Sequence, residues 1–265
     1  MNPHINFLGF AIPVYGLLSV VAAFLAWLVM VLLSKKKEIN TEDVSLVYLI
    51  GVSCGIAGAY LLRPLMKAAE VAIFWQRYDF ASAPELLNYL FGEIVFYGGF
   101  IGGLIGVVVF CRRFKIRIIP LFDIAAPALA FAHAIGRVGC FFGGCCYGIE
   151  MPENHPFSVI YPPASLSAPP GIPLLAVPLI EAAFLGVLFV ALMFVFLKSK
   201  RPGICAAIYL LVYPVGRFIL EFFRGDAVRG FYGSLTTSQF ISVAVFIFGG
   251  ICFVNAIKAG KPQPE

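Results

Sequence analysis

Charge is what this chain has least of. Asp, Glu, Lys and Arg make up 12% of its 265 residues, 61% are hydrophobic, and the mean hydropathy is +0.94, a balance that excludes a soluble globular protein. No polar stretch is long enough to stand as a separate soluble domain, there is no internal repeat, and the KPQPE tail is the one low-complexity tract. The first apolar stretch has no small-residue cleavage pattern after it and exceeds a signal-peptide core, so it reads as a mature span. The seven cysteines form no CxxC pair and are joined by no histidine cluster, which argues against a zinc module, and their odd number argues against a full disulfide framework. A formal charge of +5 would suggest nucleic acid in a soluble protein; here the basic residues sit in short loops, so no nucleic-acid partner is expected.

What is abundant is long apolar runs. Windows long enough to cross about 30 Å of hydrocarbon place seven helices near 10–33, 43–63, 92–111, 121–142, 173–197, 203–223 and 237–257. The expected fold is therefore all-α, a single polytopic transmembrane domain over 1–265. Lys35, Lys36 and Lys37, then Arg112, Arg113, Lys115 and Arg117, then Lys198, Lys200 and Arg201, then Lys258 and Lys261 follow alternate spans. They hold twelve of the nineteen basic residues, so these loops are expected in the cytoplasm, with the N-terminus outside and the C-terminus inside. Segments 64–91, 149–172 and 224–236 are then external loops.

The remaining basic residues lie on the outer side, where orientation does not require them. Arg137 stands in the apolar, glycine-rich run His133–Gly148, where a guanidinium must find an anion, a carbonyl or water. The run ends in Gly143-Gly144-Cys145-Cys146-Tyr147-Gly148, which reads as backbone opening at the membrane face. Arg217, Glu221 and Arg224, spaced by four and three, fall on one helical face; Arg217 and Glu221 make a salt bridge, and Arg224 adds a second cation that a lipid phosphate would satisfy. Glu181 has no helical partner, so it pairs across helices or is protonated. His133, one turn before Arg137, reads as a hydrogen-bonded packing residue. Tyr97 precedes a glycine series, Gly98, Gly99, Gly102, Gly103 and Gly106, whose spacing suits close helix packing. Tyr15 is an aromatic near the outer interface. Cys140, Cys145 and Cys146 lack the spacing of a zinc site; a disulfide of Cys140 with Cys145 or Cys146 is left open as a structural staple, and no metal is assigned.

Nearly the whole chain resembles the bacterial phosphatidylglycerol:prolipoprotein diacylglyceryl transferases. The resemblance rests on VYGLL at 14–18, FYGGFIGG at 96–103, GRVGCFFGGCCYG at 136–148, VPLIEA at 177–182, YPVGRFILEFFRGD at 213–226 and TTSQFIS at 236–242. It implies a multi-pass enzyme of the bacterial plasma (inner) membrane that attaches diacylglycerol to the lipobox cysteine of lipoprotein precursors. Its partners would be phosphatidylglycerol, the prolipoprotein signal peptide and membrane lipids, with no cofactor. The family's charged residues fall on Arg137, Arg217 and Glu221, and its early tyrosine on Tyr15. Its HGG histidine is Tyr97 here, and its asparagine and acidic residue in the GR signature are replaced around Cys140 and Cys145.

These positions give the expected site: Arg137, Arg217, Glu221 and Tyr97 as catalytic residues, with Arg137, Tyr15, Arg224, Gly98 and Gly99 binding the lipid. Two other classes compete with the transferase: a non-catalytic lipid- or peptide-binding protein on the same scaffold, and a thiol redox protein built on the cysteines.

Overall fold

The computed structural model describes residues 3–7, 10–37, 39–73, 83–91, 95–226 and 230–259. Among them are eight α-helices: α1 (Val14–Ser34), α2 (Thr41–Ile73), α3 (Ala83–Phe91), α4 (Phe96–Arg113), α5 (Ile118–Gly143), α6 (Val177–Lys198), α7 (Ile204–Leu220) and α8 (Thr237–Ala259). Three antiparallel two-stranded ribbons accompany them: β1 (His4–Phe7) with β2 (Phe10–Pro13), β3 (Ser158–Ile160) with β4 (Pro173–Leu175), and β5 (Phe231–Tyr232) with β6 (Leu235–Thr236). Six helices, α1, α2, α5, α6, α7 and α8, are long and apolar enough to cross a membrane. The chain is thus an all-α, multi-pass membrane protein. The expected span near 92–111 is represented by α4, and residues 92–94 lie outside the described residues.

The chain divides into two compact units, one of Met1–Leu33 with Ile119–Glu265 and one of Ser34–Ile118. In the smaller unit, α2 and α4 meet along a glycine seam. A Cβ on Gly102 would lie 2.6 Å from the carbonyl oxygen of Cys54 and 3.0 Å from Cα of Gly58, and Gly58 and Gly98 block each other through their carbonyl groups. Only hydrogen fits there, so the glycine spacing is a packing device, as expected. The segment 64–91, expected as a loop, is partly helical. Helix α2 runs through Pro64 to Ile73, because the proline forfeits a single backbone donor and the following LMKAAEVAI is a strong helix former; α3 then opens with Pro84 in its first turn. Trp75 lies outside the described residues.

In the larger unit, glycines again set the helix contacts. A Cβ on Gly249 of α8 would lie 2.8 Å from the Leu210 carbonyl of α7, and one on Gly139 of α5 would lie 3.4 Å from the Tyr15 ring of α1. Asp123 of α5, 1% exposed, accepts the backbone N–H groups of Gly203 at 2.6 Å and of Cys205 and Ala206 at 3.0 Å, capping the start of α7 from another helix.

The proline-rich 149–172 segment folds into a small core of Tyr161, Ala168 and Leu174, against which Phe141, Tyr147, Val159 and Ile172 pack. Its backbone is sewn to the ends of α5 and α7: Gly148 N–H donates to Leu175 O at 2.9 Å, Ile149 N–H to Phe223 O at 3.0 Å, and Gly225 N–H to Tyr147 O at 3.0 Å. This ties the two arginine-bearing stretches together at one end of the helices.

Candidate active site

The site is built in the larger unit, where α5, α6, α7 and α8 each contribute polar side chains. Arg137 finds its anion across the helix boundary: its Nη2 lies 3.1 Å from Glu181 Oε1 of α6, with the Glu181 side chain 1% exposed. Its Nε donates to His133 Nε2 one turn earlier, at 3.3 Å, so that nitrogen of His133 is unprotonated. The Tyr213 hydroxyl of α7 donates to the same Glu181 oxygen at 3.4 Å, and its ring meets the edge of His133 at 5.0 Å. Glu181 thus gathers a residue from α5 and one from α7, which resolves the choice left by the sequence in favour of a cross-helix pair.

Arg217, buried on α7, forms an ion pair with Glu221, its Nη2 2.6 Å from Oε2, and donates to Ser238 Oγ of α8 at 3.2 Å. Ser238 is held by a capping box that opens α8. Thr236 Oγ1 accepts from Gln239 N–H at 3.3 Å, while Gln239 Oε1 accepts from Thr236 N–H at 2.9 Å. This is the local meaning of the TTSQ motif, whose T-x-x-Q spacing is a signal readable in the sequence. Nη1 of Arg217 is buried and has no hydrogen-bond partner among the described residues. Arg137 and Arg217 both lie within electrostatic range of Tyr213 and of His133. Each guanidinium is thus anchored to its own carboxylate, and both lie near Tyr213 and His133.

Arg224 departs from the expected helical stripe. Helix α7 ends at Leu220, a single 3-10 turn covers Glu221–Phe223, and Arg224 has extended backbone that bridges to Gly148. Its distance to Glu221 is 4.0 Å, and its main partner is Asp226, which accepts hydrogen bonds from both Nε and Nη2. Burial works against its charge, but the Asp226 hydrogen bonds outweigh this and hold the guanidinium above its usual range. The reading of Arg224 as a surplus cation is corrected: a bidentate carboxylate two residues on neutralises it.

Helix α5 ends at Gly143 as expected, and the chain turns at Gly144, with φ +66°, and Cys146, with φ +57°. All seven cysteines are free, so the Cys140 staple is absent in this structure. The Sγ atoms of Cys140, Cys145 and Cys146 lie within 4.8 Å of one another. Tyr15 rests against α5 and is within electrostatic range of these thiols. Burial, reinforced by the same thiols, pushes the Tyr161 phenol up, so it remains a hydrogen-bond donor.

Tyr97, Gly98 and Gly99 belong to the smaller unit, where Gly98 and Gly99 pack on Gly58 and Gly55 of α2 and Tyr97 is 39% exposed. Sequence reasoning missed Tyr213, Ser238 and Asp226 as partners. Tyr213 and Asp226 lie in the same motif as Arg217, but their contacts arise from the packing of α6 and the bend after α7.

A family model described as prolipoprotein diacylglyceryl transferase matches residues 3–255. The chain is 32% identical over 246 residues to the phosphatidylglycerol–prolipoprotein diacylglyceryl transferase of Clostridium tetani, covering 92% of this chain and 94% of that protein. It is 34% identical over 269 residues to the enzyme of the same name from Gloeobacter violaceus, covering 97% and 93%. It is also 31% identical over 259 residues to the second enzyme of that name from Clostridium perfringens, covering 97% and 96%. With the motifs, the paired arginines and the alignment all extending over nearly its full length, this chain belongs to the prolipoprotein diacylglyceryl transferase family.

Proposed function

We propose that this protein transfers the diacylglyceryl group of phosphatidylglycerol to the lipobox cysteine thiol of a prolipoprotein. The names carried by its relatives support the two substrates. In the transfer, the thiolate sulfur forms a bond to a glycerol carbon of the lipid, the bond from that carbon to the phosphate oxygen breaks, and glycerol phosphate leaves with the electron pair. The thiol proton must be removed, and the charge growing on the departing phosphate must be met.

The observation that carries the reading is Arg217, a buried guanidinium with Nη1 unpartnered and its other contacts already fixed by Glu221 and Ser238. A donor fixed in advance toward an anion stabilises charge without reorganising as the reaction proceeds. Arg137, fixed by Glu181, supplies the second cation. Glu221 orients Arg217, its Oε2 lying 2.6 Å from the guanidinium one helical turn earlier. Tyr15 and Arg224 line the lipid-binding rim. Tyr97, with Gly98 and Gly99 after it, enters on its motif position, where it replaces the family's histidine as proton relay. No cofactor takes part.

The same reading includes a single transmembrane domain with seven spans, α4 being the seventh. It also places the N-terminus outside, the C-terminus in the cytoplasm and the protein in the bacterial plasma membrane. The alternation of basic loops supports this orientation. A reporter fused after Lys261 should behave as cytosolic; an external signal there refutes the span count. The activity is tested by mass spectrometry of a co-expressed lipoprotein precursor. A mass gain of one diacylglyceryl group on the lipobox cysteine is expected, and an unmodified precursor beside a folded, lipid-binding protein would establish a non-catalytic scaffold instead.

A further inference from the structure

Three thiols gather at the turn where α5 ends, and the transfer proposed above gives none of them a role. Cys140 lies on the last helical turn, and Cys145 and Cys146 on the returning backbone, where Cys145 N–H donates to Cys140 O at 3.1 Å. Cys146 takes a left-handed φ of +57°, a conformation unfavourable for a side chain with a Cβ, which places its sulfur with the other two. Convergence of three sulfurs is more than a disulfide needs, since any pair leaves one thiol over. It is what a metal ion requires: a cation bonded equally to three sulfurs at about 2.3 Å holds them about 4 Å apart.

A second observation points to the same place. Tyr161, 1% exposed, has a hydroxyl without a hydrogen-bond partner among the described residues, and it lies within electrostatic range of all three thiols. A buried phenol left without an acceptor is costly, and a metal-bound thiolate is an acceptor. Arg137 and Arg224 are both within electrostatic range of Cys146. Both are paired with carboxylates, Glu181 and Asp226, and remain cationic neighbours of an anionic thiolate complex.

We propose that Cys140, Cys145 and Cys146 form a three-thiolate site for a soft, closed-shell monovalent metal ion of the Cu(I) class, with Tyr161 donating its hydroxyl hydrogen to one of the sulfurs. On binding, the three thiols lose three protons to solvent and three metal–sulfur bonds form, with no change of oxidation state; the complex carries two negative charges, faced by Arg137 and Arg224. Softness selects the metal: all three ligands are sulfur, with no imidazole or carboxylate in the cluster, and a fourth ligand of the kind zinc prefers is missing from the described residues.

The test uses the full chain, reduced and purified without oxygen in lipid nanodiscs, titrated with Cu(I) against a chromophoric Cu(I) chelator. A single equivalent per chain is expected, with X-ray absorption showing three sulfur neighbours at about 2.3 Å. Cys140→Ser, Cys145→Ser and Cys146→Ser should each weaken binding at least about 100-fold, Cys252→Ser should leave it unchanged, and Tyr161→Phe, which alters no ligand, should weaken it about 10-fold. Circular dichroism of each variant shows whether the helices persist, and Tyr161→Phe decides the matter if a serine variant does not fold. Failure to take up a stoichiometric equivalent, uptake unaffected by the cysteine substitutions, a two-sulfur linear site, preferential binding of Zn(II), or a disulfide within the cluster of freshly isolated membranes each overturns the proposal.

Discussion

Removing the carboxylate of Glu181 should disable the protein through a residue that sits one helix away from the arginine it serves. Glu181 and Arg137 are 3.1 Å apart, with side chains 1% and 14% exposed, so the pair is shielded from water and surface screening does not apply. Breaking a buried ion pair by deleting one partner costs about 3–5 kcal/mol, because the remaining charge is left uncompensated. Arg137 has its hydrogen bond to His133 at 3.3 Å with or without Glu181, so that contact does not offset the loss. The cost of Glu181→Ala is then about 3–5 kcal/mol, or about 150- to 5000-fold in the rate of precursor modification if it appears as misplacement of Arg137. Glu181→Gln retains an acceptor for Arg137 and Tyr213 and loses only the charge assistance, about 1 kcal/mol, or about fivefold. The measurement is the initial rate of precursor modification, read by mass spectrometry in membranes holding equal amounts of each variant, across a range of phosphatidylglycerol content. Glu181→Ala running at more than half the parental rate, while Arg137→Ala is inactive, would refute the claim that Glu181 positions the guanidinium.

Three further outcomes follow from the same geometry. Arg217→Ala should remove most activity, whereas Glu221→Gln, which keeps a hydrogen bond to Arg217, should lose it only in part; equal damage with phospholipid binding retained would place the carboxylate in the proton path. Asp123→Ala leaves three backbone donors at the start of α7 without their acceptor and should lower stability by about 2–4 kcal/mol, seen as a lower thermal midpoint in detergent, with Asp123→Asn milder. Gly102→Val puts a branched side chain where even a Cβ would lie 2.6 Å from the Cys54 carbonyl oxygen, and should destabilise the α2–α4 pair by about 3 kcal/mol or more; an unchanged midpoint would mean the two helices separate at little cost.

The membrane character, the helices and the local charge pair were legible in the residues because they depend on short-range physics. Apolar length selects the spans, and a four-residue spacing is enough to bring Arg217 and Glu221 to 2.6 Å. The need of Arg137 for a polar partner was equally legible, since a guanidinium buried in a bilayer must find an anion, a carbonyl or water. Its partner was not. Helix α6 is apolar on nearly every side, so nothing in its pattern says which face turns inward, and only the packing of α6 on α7 brings Glu181 to Arg137 and Tyr213. Arg224 shows the same limit from the other direction. Helical periodicity continued through it would aim it at Glu221, but the chain leaves the helix after Leu220 to pair its backbone with Gly148, and Asp226 takes the guanidinium. The three thiols near the end of α5 carry no metal-like spacing in the sequence; a left-handed turn at Cys146, held between the 149–172 segment and the end of α7, is what gathers their sulfurs. Sequence alone therefore determined which groups had to be satisfied, and the tertiary structure decided by whom, because contacts between helices depend on rotation and depth that one-dimensional periodicity does not encode.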